Sequence, residues 1–138
     1  MATRRVGLTE DDVAALATAL PGVEEGTKWN RRTWLVAGAG FCAIRPFSKA
    51  DVKRFGDAPV PRGTIASLAT DDLAEKEAVL AAGHAGVFTI PHFDGHPAVL
   101  VELDVVDRSV FGELLEDAWL SKAPPALAAS YLRSEERR

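Results

Sequence analysis

The segment from Ala98 to Val105 constrains the fold more than any other. Val99, Val101, Leu103 and Val105 fall on one side of an extended chain, while Glu102 and Asp104 fall on the other. A period of two with one apolar and one polar face describes a strand in an antiparallel sheet, with a layer packed on one side only. Asp107 follows at once as a helix cap. Val110, Phe111, Leu114, Leu115, Ala118 and Trp119 then recur at helical spacing as a wide apolar stripe that can supply that layer.

The rest of the chain repeats these two patterns without a regular strand-helix-strand alternation. Thr9 and Asp12 are spaced as a capping box ahead of Val13, Leu16, Ala17 and Leu20, which predicts a first helix ending at Pro21-Gly22. Strands are expected around Trp29, over Trp34 to Ala37 and over Phe41 to Ile44, with Gly38-Ala39-Gly40 as a hairpin turn. Another runs from Thr64 to Leu68. A helix capped by Asp72 extends to about Ala82, a short strand covers Val87 to Ile90, and Pro124-Pro125 opens a final helix carrying Leu127, Tyr131 and Leu132. The economical solution is an α+β fold in two layers, a mostly antiparallel sheet with helices packed on one face.

The 138 residues suit one domain over 1–138, with flexible ends expected at 1–8 and 133–138. A long loop is expected at 46–63, where Pro46, Gly56, Pro59, Pro61 and Gly63 surround a short helical segment, Ser48 to Arg54. No run of about 20 apolar residues exists to span a bilayer, and no secretory signal follows Arg4 and Arg5. The single cysteine, Cys42, lies in an apolar stretch and cannot form an internal disulfide. The expectation is a monomer in the cytoplasm, with no membrane association.

Catalytic motifs are missing. There is no glycine-rich phosphate loop and no nucleophile elbow, and the adjacent carboxylates Glu24-Glu25, Asp71-Asp72 and Glu116-Asp117 do not read as an acid/base pair. A non-enzymatic protein without a cofactor is expected. His92-Phe-Asp94-Gly-His96 has metal-ligating residue types, but Pro91, Gly95 and Pro97 forbid the helix that would put both rings on one face. No metal is therefore assigned. This turn, with Arg45, remains an alternative small-molecule or metal-responsive site built from Arg45, His92, Asp94 and His96.

Charge is unevenly spread beneath a formal total of −4. Residues 26–64 carry eight basic groups against two acidic, whereas 65–122 carry three against eleven. The basic third includes Lys28-Trp29-Asn30-Arg31-Arg32-Thr33-Trp34, where two indoles and three cations interleave. Forked guanidinium groups suit phosphates and an exposed indole suits a base, so Lys28, Trp29, Arg31, Arg32, Lys49, Lys53, Arg54 and Arg62 are the candidate nucleic-acid contacts. An ordinary solvated hairpin edge, with Trp34 in the core, stands beside that reading. A third reading is a protein-interaction module using Trp119 or Tyr131.

Several stretches together resemble the MmcQ/YjbR family. They are Leu20-Pro-Gly-Val-Glu-Glu-Gly-Thr27, Arg31-Arg32-Thr-Trp34, Arg45-Pro-Phe-Ser-Lys49-Ala-Asp51, Glu75-Lys76-Glu77, Gly86-Val-Phe-Thr-Ile-Pro91-His92-Phe-Asp-Gly95, Val99-Leu-Val101 and Ala118-Trp119-Leu with Ala123-Pro124. The resemblance implies a fold similar to the bacterial frataxin homologue, called CyaY-like, and a DNA-binding label that rests on likeness of fold. It implies no catalytic residue. Frataxin-type iron binding is not expected either, because Glu10, Asp11 and Asp12 form one cluster at a helix cap.

Overall fold

The structure, a computed structural model, describes residues 7–61 and 63–136. Among these described residues six strands form one sheet in the order β1-β2-β3-β4-β6-β5, with every neighbouring pair antiparallel. The strands are β1 (Val23–Lys28), β2 (Arg31–Val36), β3 (Ala39–Ile44), β4 (Ile65–Ala69), β5 (Val87–Phe88) and β6 (Ala98–Glu102). The helices are α1 (Glu10–Thr18), α2 (Lys49–Arg54), α3 (Leu73–Ala81), α4 (Arg108–Lys122) and α5 (Pro125–Glu136). The α+β expectation holds, and no helix among the described residues is long and apolar enough to cross a membrane.

Helix starts follow from local chemistry. The Thr9 hydroxyl accepts from the Asp12 amide at 3.1 Å and the Asp12 carboxylate accepts from the Thr9 amide at 2.9 Å, which completes the capping box of α1. That amide does most to hold the Asp12 carboxyl below its ordinary range, and Arg108 adds to it. Ser48 and Asp51 repeat the arrangement at α2, and Asp107 accepts from the Ser109 and Val110 amides at α4. α1 stops at Thr18, short of the expected Pro21-Gly22.

The main core lies between α1, α4 and one sheet face. Trp34, Val36, Leu68, Val99 and Val101 from the sheet meet Val13, Phe111, Leu115 and Trp119 from the helices, all nearly or fully buried. Trp119 donates its indole N–H to the Pro21 carbonyl at 3.1 Å and stacks edge-on against Tyr131 at 5.0 Å. Trp119 is thus a core residue and offers no surface to a partner.

Four local expectations are corrected. Val23–Lys28 forms an edge strand that its polar composition concealed, and Trp29 belongs to the turn between β1 and β2. The next hairpin turns at Ala37 and Gly38, both with positive φ, so Gly40 lies inside β3. β6 ends at Glu102, and its second face is not wet: Leu100 is buried with Ile65, Ile90 and Phe93 under Phe47, Phe55 and Phe88. At the chain ends, Leu8 is buried and donates to the Leu103 carbonyl at 2.8 Å, while residues 133–136 continue α5.

Candidate nucleic-acid interface

The sheet face opposite α1 and α4 is covered at one end by α2 and the Pro91–Phe93 turn, and open at the other. A groove of about 320 Å³ occupies the open end. Its floor consists of Thr33, Gly40, Ala43, Ser67, Ala69 and Ala98, short residues on four adjacent strands. Cross-strand register explains their alignment, since Thr33 pairs with Ala43, Ala43 with Ser67, and Ala69 with Ala98. Small side chains along a row leave the sheet bare there, and the longer residues around them become walls.

Those walls are basic. The β1–β2 hairpin supplies Lys28, Trp29 and Arg31, the turn before β6 supplies Phe93 and His96, and the end of α4 supplies Lys122. No carboxylate lines the groove among the described residues. Arg31 is half-buried. Burial, and then the charge of Arg45, pull its pKa below the usual arginine range, with Asp51 opposing.

Trp29 stands on the rim with 89% of its surface exposed. It has φ 54° and the following Asn30 has φ 59°, the pair of left-handed residues that a two-residue hairpin with the right strand twist demands. Asn adopts that region readily, but an indole there costs on the order of 1 kcal/mol. The tight turn holds the ring clear of the core, where it is open to a planar partner.

The candidate cations divide into groups that their nearness in sequence did not suggest. Arg32, next to Arg31, lies on the opposite face, 3.0 Å from Glu25, 3.6 Å from Glu10 and 3.8 Å from Asp11, with its guanidinium 5.1 Å from the Trp34 ring centre. It is already neutralised. Lys49, Lys53 and Arg54 sit on α2 and do not line the groove, and Arg54 lies 3.7 Å from Asp51. Arg62 lies outside the described residues.

The alternative ligand set divides as well. His96 lines the groove, whereas His92 and Asp94 do not. Arg45 lines it but is 5% exposed and donates to Asp51 at 2.9 Å and to the Pro46 carbonyl, with its guanidinium 5.6 Å from the Phe93 ring centre. It anchors α2 to the sheet and has little charge left for a ligand. Burial pushes the Asp51 carboxyl up, but hydrogen bonds from the Ser48 amide and Arg45 outweigh it, and the net shift is downward. No group of three or more His, Cys, Asp or Glu side chains is arranged to hold a metal among the described residues.

Two contributors were not visible beforehand. Lys122 arrives from the far end of the chain. Lys76, the buried residue of α3, reaches under the His96 turn and donates to the Phe93 carbonyl at 2.6 Å and the His96 carbonyl at 2.8 Å. Its spacing three and four residues ahead of Val79 and Leu80 was the available signal that this lysine lies on the inward side of α3.

A YjbR family profile matches residues 18–121. The uncharacterised protein Rv2570 of Mycobacterium tuberculosis and the uncharacterised protein Mb2600 of Mycobacterium bovis are each 36% identical to this chain over 127 residues, which cover 90% of this chain and 95% of theirs. The matched span includes all the lining residues of the groove except Lys122.

Proposed function

The chain belongs to the YjbR family, and we propose that it acts there as a non-enzymatic DNA-binding protein whose contact surface is the basic groove. The observation that carries this reading is the convergence of Lys28, Arg31, His96 and Lys122 around a floor without carboxylates, beside an exposed Trp29. Positive charge concentrated in one concavity attracts a polyanion even though the whole chain is formally −4. The buried single thiol suits a reducing compartment, and we place the protein in the cytoplasm as a monomer.

The test is a titration of fluorescein-labelled DNA at low and moderate salt. About three phosphate contacts, from Lys28, Arg31 and Lys122, give a log-log salt slope near −2 for a single strand. Arg31→Glu should abolish binding. Arg32→Ala should leave it almost unchanged, because Glu25, Glu10 and Asp11 already occupy that guanidinium. A flat salt response, or equal losses in the two variants, would sink the proposal.

A further inference from the structure

The shape of the groove says more than its charge. A duplex is a convex cylinder with its phosphates outside and its bases stacked within, so it can rest on the rims but cannot enter a concavity of about 320 Å³. That volume lies at the low end for small-molecule sites, the scale of a single nucleotide. A single strand can turn one base out and fill it.

The walls are arranged for such a unit. Trp29 gives a stacking platform at the mouth, held by its two-residue turn. Arg31, half-buried and opposite Lys28 in the hairpin register, lines the same groove as Trp29 and offers a guanidinium to a phosphate there. The Ser67 hydroxyl on the floor is a donor and acceptor of the size that suits a base edge. The floor stays deep because it is built small. At Gly40 even one added carbon would sit 3.2 Å from the Thr33 methyl.

We infer that the groove receives one unstacked nucleotide, so that the protein binds single-stranded DNA in preference to duplex; this rests on the DNA-binding reading above. Stacking of a base on an aromatic ring is worth about 1–3 kcal/mol, a factor of roughly 5 to 150 in affinity that a closed duplex forgoes.

The experiment compares a labelled oligothymidine strand with a duplex of equal length at one low salt concentration, with thymidine 5′-monophosphate as competitor. The wild-type protein should bind the strand at least about tenfold more tightly than the duplex. Ala43→Phe fills the floor while Lys28, Trp29, Arg31 and Lys122 remain, so it should remove the preference and leave duplex affinity within about twofold. Trp29→Ala, on an exposed turn, should also remove the preference for the strand, and serves if Ala43→Phe misfolds by circular dichroism. The monophosphate should compete with the strand in the wild-type protein but not in Ala43→Phe.

Equal affinity for strand and duplex, or a preference that survives both substitutions, overturns the inference and leaves rim binding of DNA standing. If neither DNA binds at low salt, the DNA-binding reading itself fails. Monophosphate binding without strand binding identifies a free nucleotide as the ligand and overturns both.

Discussion

Replacing Lys76 by Met isolates a contact that couples the interior to the groove. The Lys76 ammonium, on a residue 6% exposed, donates to the carbonyls of Phe93 and His96, 17 and 20 residues along the chain. Hydrogen bonds to a charged group contribute about 1.5–3 kcal/mol each, so the two together set a gross loss of roughly 3–6 kcal/mol. Two effects reduce it. Phe93 O still accepts from the His96 amide at 3.0 Å and His96 O from the Ala98 amide at 2.8 Å, so neither carbonyl is orphaned. Met also fills much of the same space and removes the cost of burying a charge. A net loss of about 2 kcal/mol remains, which for a domain of this size lowers Tm by roughly 6–8 °C. Calorimetry at neutral pH measures it, and amide exchange at His96 and Ala98 should accelerate more than in the main core. An unchanged Tm would refute the reasoning, because ammonium desolvation would then cancel both bonds.

Three further outcomes follow from the same structure. Asp51→Asn should destabilise at neutral pH by about 3 kcal/mol, since it leaves Arg45 buried without its counter-charge. Asp51 has a lowered pKa, so the stability it contributes is present above the ordinary carboxyl range and lost as pH falls through the folded value; urea unfolding at acid pH should show the difference closing. Asp117 has the opposite sign, because burial and then Glu116 and Glu113 raise its pKa. Its folded form takes up a proton before the unfolded chain does, so Asp117→Asn should raise Tm at neutral pH, with the gain vanishing as pH falls below the raised value; a gain that grows on acidification would contradict this. Finally, burial pushes the Cys42 thiol up, and a chromogenic disulfide reagent should label it only at the rate of global unfolding.

Much of the architecture was legible because it is written locally. The caps at Thr9, Ser48, Asp72 and Asp107 act on amides two or three residues away, and the stripe on α4 needs only helical spacing to be read. β1 was hidden for the converse reason. Glu24, Glu25, Gly26 and Lys28 have no strand preference, and their extended state comes from pairing with β2. The wet face expected on β6 failed likewise, since what covers Leu100 arrives from residues 47–55 and 88–93.

The candidate site divides along the same line. Trp34 was read as a core residue, and alternation then assigns Arg32 to its face and Arg31 with Thr33 to the other; the split between the two arginines was in the sequence. Asp51 as the partner of Arg45 was not, and neither were Lys76 beneath the His96 turn or Lys122 on the groove wall. The sequence alone determined the fold class, the helix starts and a basic segment with an indole among its cations, because these depend on composition, on period and on neighbours a few residues away. Only the tertiary structure decided which cations are spent on carboxylates and which surround an acid-free groove, because ion pairing and concavity depend on distances between residues far apart in the chain.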